Sequence, residues 1–245
     1  MATRLVHLVV DAAQPGQLAR FWAAALNWEV AAEEGGEVDV WPAGYRYPDP
    51  VALPLVFVPV SEPKTSKNRV HLDLATGSSE HQAAEVRRLI ELGAVPIDIG
   101  QGDVPWQVLA DPEGNEFCVL EPRAVYRDTG PVAAVVVECA DPGAVAGFWQ
   151  LATGWVPASS TTHGVSFRSP HGVGPYLELL PAIGAKVVKH RIHLDVAPYP
   201  DEDQSAAVAV LLERGAVPAD VGQGDAPWSV LADLQGNEFC VLSPR

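Results

Sequence analysis

Three kinds of side chain that bind metals or move protons stand at matched places in this sequence. Arg69-Val-His-Leu-Asp-Leu74 carries Arg69, His71 and Asp73 at every second position, and Arg191-Ile-His-Leu-Asp-Val196 repeats the pattern with Arg191, His193 and Asp195. Cys118 and Cys240 each sit inside Glu-Phe-Cys-Val-Leu, and His7 opens the run that ends at Asp11. Imidazole and thiolate are ligands for transition metals. Imidazole and carboxylate also serve as general bases once burial tunes them. In a β-strand alternate residues share a face, so Arg69, His71 and Asp73 point one way and Val70, Leu72 and Leu74 the other, toward covering helices. His7, Val9 and Asp11 alternate with Leu8 and Val10 in the same manner, and Cys118 shares a side with Glu116 and Leu120, opposite Phe117 and Val119. A polar row on three strands predicts a concave sheet that lines a small-molecule cavity.

The elements that must hold these rows repeat. Lys64–Arg123 and Lys186–Arg245 align without a gap at an offset of 122, with 37 identities in 60 positions. The front parts repeat more loosely at an offset of 127: Pro15-Gly16 and Phe21-Trp22 match Pro142-Gly143 and Phe148-Trp149, and Trp28 falls on Trp155. The chain therefore reads as two modules, 1–125 and 130–245, joined by a short turn-rich seam, Ala124 to Pro131, which predicts that they sit against each other. Within module one, Leu5–Val10 reads as a strand. Pro15 then suits a first helical turn, and Leu18, Phe21, Trp22, Ala25 and Leu26 form an apolar stripe at helical spacing. Strand candidates follow near Trp28–Val30, Val38–Trp41 and Leu53–Val60. The pattern restarts with a strand at Arg69–Ala75, a helix at Ala83–Leu92 stopped by Gly93, and strands near Val95–Ile99, Trp106–Leu109 and Glu116–Leu120. Each module is thus βαβββ twice, an α+β fold with helices on one face of curved, partly open barrel-like sheets.

Composition limits the partners. Of 245 residues, 48% are hydrophobic and 19% charged, which supplies a core and excludes disorder. The net charge of −15 repels phosphate backbones and anionic lipid, so neither nucleic acid nor a membrane is expected. The opening apolar run, broken by His7, is too brief for a signal peptide, and no stretch has the roughly 18 apolar residues of a membrane span. Three cysteines, an odd number, cannot form a complete disulfide framework. A soluble cytoplasmic monomer or homodimer is the expectation.

Other features divide between architecture and binding. The Arg-x-His-x-Asp rows can equally form an intrastrand network in which an Arg–Asp pair flanks the imidazole and fixes its tautomer. Gly100-Gln-Gly-Asp103 and Gly222-Gln-Gly-Asp225 precede Pro-Trp and a strand rather than a helix, so they are not nucleotide-binding loops. Trp106 and Trp228, which follow them, either roof a cavity or anchor the turn. Trp22 and Trp149 fit the helical stripe as core residues. Tyr45 and Tyr47 lie in a loop that module two replaces with Phe167–Pro175, and such unequal loops are where ligand contacts would differ. No arrangement for nucleophilic hydrolysis is visible.

The ending Asp111-Pro-Glu-Gly-Asn-Glu-Phe-Cys-Val-Leu120, joined to the His7-to-Phe21 and His71 phrases, resembles the vicinal oxygen chelate superfamily across essentially the whole chain, and within it the glyoxalase-like domain proteins. The superfamily includes glyoxalase I, extradiol dioxygenases, and fosfomycin- and bleomycin-resistance proteins. The resemblance implies metal ligands at His7 and His71 and a third at Cys118, where metal-using members have glutamate. Glu121 cannot substitute, because alternation turns it to the opposite face. In module two the same positions are Ala134, His193 and Cys240. Two imidazoles and a carboxylate suit Fe(II) or a similar ion, whereas a thiolate suits Zn²⁺. A cysteine among apolar neighbours is also a small core residue. Some relatives build each cavity from the first unit of one module and the second unit of the other, which would join His7 to His193 and Cys240 and Ala134 to His71 and Cys118.

Three functions follow from these readings. The first is a binding protein that holds a small organic molecule with no obligatory metal, using Arg69, Trp106, Tyr45, Tyr47, Arg191, His193, Asp195 and Trp228. The second is a lyase, isomerase or dioxygenase with a divalent metal on His7, His71 and Cys118. The third is a metal-free acid/base enzyme using His71 or Asp73.

Overall fold

The computed structural model describes residues 3–182, 184 and 186–245. Each of the four units is a strand, a helix and three strands, as the sequence pattern predicts. The first contains β1 (Arg4–Ala12), α1 (Pro15–Leu26), β2 (Glu29–Glu34), β3 (Glu37–Trp41) and β4 (Leu55–Pro59). The second contains β5 (Val70–Leu74), α2 (Ser79–Glu91), β6 (Val95–Pro96), β7 (Gln107–Ala110) and β8 (Glu116–Val119). In module two the third unit contains β9 (Val132–Cys139), α3 (Pro142–Thr153), β10 (Val156–Thr161), β11 (Gly164–Arg168) and β12 (Tyr176–Pro181). The fourth contains β13 (Ile192–Ala197), α4 (Gln204–Glu213), β14 (Val217–Pro218), β15 (Ser229–Ala232) and β16 (Glu238–Val241). Helix α2 starts four residues earlier than its apolar spacing suggests, because the Ser78 hydroxyl accepts a hydrogen bond from the His81 amide and caps the first turn.

The sheets do not follow the modules. In the first sheet the strand order is β14-β15-β16-β13-β1-β4-β3-β2, and in the second it is β10-β11-β12-β9-β5-β8-β7-β6. Each therefore takes the first unit of one module and the second unit of the other. The joins are the antiparallel pairs β1–β13 and β5–β9. Both sheets are open and mixed rather than closed barrels.

Strand alternation sorts the core as the sequence implies. Leu8 and Val10, Leu72 and Leu74, and Phe117 and Val119 all join one large buried cluster with Leu18, Phe21 and Trp22. Trp22 and Trp149 also do something their apolar stripe does not reveal. Their indole N–H groups donate to Asp111 Oδ2 at 3.1 Å and Asp233 Oδ2 at 2.9 Å. The other oxygen of each aspartate accepts amide hydrogen bonds from its own turn, from Asn115 at 2.9 Å and Asn237 at 3.0 Å. The repeated turn aspartates are thus buried latches that fasten a helix to the last hairpin of the next unit, and their conservation between modules is architectural.

Basic residues clamp the exchanged halves. Arg191 donates to the Asp11 and Glu62 carbonyls at 2.8 and 2.7 Å and to Glu113 at 3.2 Å, and Lys189 pairs with Asp11 at 2.7 Å. From the other side Arg69 donates to the Gly184 carbonyl at 2.5 Å and Lys67 pairs with Glu138. A cavity of about 340 Å³ lies among these groups. The unequal loops also meet: at Gly174 (φ +75°) an added Cβ would lie 2.1 Å from the Pro50 carbonyl oxygen, so only glycine fits. Among the described residues, no helix is long and apolar enough to cross a membrane.

Candidate functional site on the first sheet

Register brings the chemistry-bearing residues together across the exchanged strands. On the first sheet His7 pairs with Asp195 and Asp195 with Cys240, while Val9 pairs with His193. His7 Nδ1 lies 3.8 Å from Asp195 Oδ2, His193 Nε2 lies 3.5 Å from Asp195 Oδ1, and Cys240 Sγ lies 3.4 Å from His193 Nε2. These groups floor a cavity of about 650 Å³, within the ordinary range for ligand pockets. Val56, Val58, Val230 and Leu242 add apolar surface, and Glu37 and Asp39 add carboxylates. Trp228 lines it as well.

His7 and His71 do not meet. His7 lies on the first sheet and His71 on the second, because β1 pairs with β13 and β5 with β9. The set His7, His71 and Cys118 is therefore replaced by His7, His193, Asp195 and Cys240. On the second sheet Asp73 pairs with both Cys118 and Ala134, and His71 Nε2 lies 3.5 Å from Asp73 Oδ1. Ala134 is fully buried and contributes no ligand. The centre of this face is covered: Tyr126, from the single 3₁₀ turn of the seam, clusters with Val108, Cys118, Leu120, Ala134 and Val136, and its hydroxyl donates to Glu178 at 2.7 Å, which leaves a hollow of about 470 Å³ at the edge beside Trp106 and Gln101. The first-sheet counterparts Val230, Cys240, Leu242, His7 and Val9 all line the open cavity.

The proposed intrastrand network does not form. Arg69 and Arg191 bond across the module boundary, so neither reaches Asp73 or Asp195. Asp73 Oδ1 and Asp195 Oδ1 are buried and accept no hydrogen bond. Trp106 sits beneath Arg123, with the guanidinium 5.7 Å from its ring centre. Tyr45 leans on Trp41 at 5.9 Å, and Tyr47 stands 6.3 Å from His7 and 5.2 Å from Arg4. Glu121 lies beyond the end of β8 and pairs with Arg123.

Burial sets the electrostatics. It pushes the Cys240 thiol well above its ordinary range, and nearby Asp195 pushes it further; Cys118 is held up in the same way, by burial and then Asp73. Both thiols stay protonated at neutral pH and are poor nucleophiles. The Glu37 carboxyl is raised by burial and then by Asp39 and Asp195, and that of Asp39 by burial, against the opposing pull of His7 and Arg245.

Sequence reasoning passed over Glu37, Asp39, Tyr126, Glu178 and His190. Alternation on β3 could have placed the two acids. His190 had a signal too, since it replaces Asn68 between the matched Lys and Arg of the Lys-x-x-Lys-x-Arg phrase. Asn68 Nδ2 donates to Asn115 Oδ1 at 2.9 Å. His190 makes no such bond: its ring nitrogens and Asn237 Oδ1 are buried without hydrogen-bond partners, and Nδ1 stands 3.7 Å from Glu238 Oε2.

The donor chemistry bears on a metal. His193, Asp195 and Cys240 offer ligand atoms all within 4.8 Å of one another, as do His71, Asp73 and Cys118, and the orphaned aspartate oxygens point to unmet coordination capacity. With His7 added, the first sheet offers two imidazoles, a carboxylate and a thiol. That set fits a thiophilic ion of the Zn²⁺ kind and suits Mg²⁺ poorly.

A family model described as "Glyoxalase-like domain" matches residues 7–120 and 134–242. The chain belongs to the glyoxalase-like domain family, in two copies. Similar solved structures include a putative dioxygenase from Bacillus subtilis, with TM-score 0.65 and 14% identity over 98% of this chain and 84% of that one. Another is glyoxalase I from Zea mays, with TM-score 0.63 and 12% identity over 98% and 92%. At these identities the likeness concerns the fold. No curated protein sequence matches the chain significantly.

Proposed function

We propose that the first-sheet cavity is the working site and that it binds a small organic molecule, with no metal required to hold it. The observation that supports this is the 650 Å³ cavity over His7, His193 and Asp195, where Tyr126 covers the matching centre of the second face. Val56, Val58 and Trp228 would take the apolar body of the ligand. His7 and His193 would take its polar groups, each imidazole able to donate from one nitrogen and accept at the other. Arg69 and Arg191 act in the clamp, and His71 and Asp73 act structurally on the second face. A panel of small aromatic and aliphatic compounds screened by ligand-induced thermal stabilisation tests this. Stabilisation abolished in His7→Ala and Trp228→Ala but kept in His71→Ala supports it; stabilisation abolished only in His71→Ala contradicts it.

A second reading is favoured by the donor convergence. His7, His193, Asp195 and Cys240 would hold a zinc-like ion, which supplies Lewis acidity toward a substrate oxygen, and the chain would then be a lyase, isomerase or dioxygenase. Metal analysis of untagged protein separates the two. Stoichiometric metal lost in both His7→Ala and His193→Ala supports the enzyme. Folded, metal-free protein that takes up no added Zn²⁺ supports binding alone.

A further inference from the structure

The first-sheet cavity carries more negative charge than the protein neutralises. Its lining includes six carboxylates, Asp11, Glu37, Asp39, Glu62, Asp195 and Glu238, against Lys189, Arg245 and the imidazoles of His7, His190 and His193, of which His7 and His193 stand 3.8 and 3.5 Å from Asp195. Asp11 is paired with Lys189, and Glu238 with Lys186. Among the described residues, Glu37 and Asp39 form no ion pair within 4.0 Å. Arg245 makes none either, and its Nε donates at 3.5 Å to the Ser243 carbonyl. Asp195 is 6% exposed, lines the cavity and has one oxygen that accepts no hydrogen bond.

The second sheet provides an internal control. Across the first sheet one row runs Asp39, Val56, Val9, His193. The same row on the second sheet runs Ser166, Glu178, Val136, His71. Each row holds one carboxylate. Glu178 receives the Tyr126 hydroxyl, a donor supplied by the chain itself. Asp39 accepts no hydrogen bond from the chain and feels only the pull of His7 and Arg245, while Glu37 on the same strand feels the like charges of Asp39 and Asp195. Carboxylates crowded against apolar walls repel one another and any anion, and a cation relieves that repulsion.

We propose that the molecule held on the first sheet is an organic cation, a protonated amine or guanidinium on an apolar or aromatic body. Glu37, Asp39 and Asp195 take the charged head, and Val56, Val58 and Trp228 take the body. This rests on the proposal that the first-sheet cavity is the working site, and it adds the chemical class of the ligand.

Matched triads of probes differing only in the head group test it: 1-naphthylmethylamine, 1-naphthalenemethanol and 1-naphthoate, then tryptamine, tryptophol and indole-3-acetate. Each is titrated into ¹⁵N-labelled protein at pH 7 while the Trp228 indole, Gly222 and Trp106 indole signals are followed. The amines are expected to bind about tenfold more tightly than the alcohols, to move Trp228 and Gly222, and to leave Trp106 in place. In Glu37→Gln/Asp39→Asn the amine falls to the affinity of the alcohol while the alcohol keeps its own. These partly exposed isosteric changes leave the spectrum otherwise intact, and Asp195→Asn serves as a second variant. Alcohols or carboxylates that bind as well as amines at Trp228 overturn the cationic class and leave the site standing. If no probe moves Trp228, or shifts gather at Trp106, the site fails and the inference with it.

Discussion

The two concave faces of this molecule descend from one repeated sequence and have come to differ at the places where chemistry is done. The second sheet has Ala134 where the first has His7, and Glu178 where the first has Val56. Tyr126 rests on the second face and satisfies Glu178, whereas the first face opens into a cavity floored by His7, His193, Asp195 and Cys240. What the faces share is equally instructive. The latches of Trp22 on Asp111 and Trp149 on Asp233 are alike in both halves, as are the His–Asp–Cys clusters. Duplication has kept the latches and the His–Asp–Cys clusters and varied the side chains on the strands beside them, His7 against Ala134 and Val56 against Glu178. The exchange of units makes this asymmetry act on whole sheets, because each face draws on both modules.

The largest expected effect comes from emptying the filled face. Tyr126→Ala removes a buried aromatic ring and leaves Glu178 without its donor, which should cost ~3 kcal/mol in urea unfolding. Tyr126→Phe separates the two contributions, since it keeps the packing and removes only the hydroxyl. A loss below 0.5 kcal/mol for Tyr126→Ala, roughly that of a surface substitution, would mean that the second face is not built around this residue.

The latches should behave alike in the two halves. Trp22→Phe and Trp149→Phe each remove one indole donor from a buried carboxylate, at an expected cost of about 1–2 kcal/mol apiece. Equal losses uphold the view that the turn aspartates are architectural. A much larger loss in one half would show that its aspartate has a further role.

A smaller difference between the halves lies at His190. Burial, with help from Lys186, Arg69 and His193 and against the pull of Glu238, holds its imidazole below the ordinary histidine range. The unfolded chain therefore takes up a proton that the folded chain refuses, and this unfavourable contribution sets in as pH falls below ~6.5. His190→Asn restores the module-one pairing by offering a donor to Asn237 Oδ1. It should stabilise the protein by ~1 kcal/mol at pH 7 and flatten the decline in Tm between pH 7 and 5. An unchanged pH profile would place the decline in other groups.

Much of this was legible in the residues. The offset of 122 gives the repeat, period-two alternation separates Leu72 from His71, and the apolar stripe of α1 places Trp22 in the core. The partners of β1 were not legible, because His7 alternates correctly whether β1 meets β5 or β13. Only long-range pairing distinguishes the two, and local pattern carries no information about it. Arg69 misled for a related reason: sharing a strand face with Asp73 places it nearby, yet its long side chain reaches the Gly184 carbonyl of the other module. Tyr126 left no trace since it lies in the seam, outside both the repeat and any strand period. Glu37 and Asp39 sit in a short acidic strand whose sequence resembles a solvated edge, and their convergence with Asp195 depends on the same exchanged pairing.

One face is proposed to bind and the other to support it. Isothermal titration with a ligand from the binding screen, repeated on His7→Ala and His71→Ala, tests this directly. One molecule per chain is expected, with binding lost in His7→Ala and retained in His71→Ala. Two molecules per chain, or binding that survives in His7→Ala and is lost in His71→Ala, would contradict it.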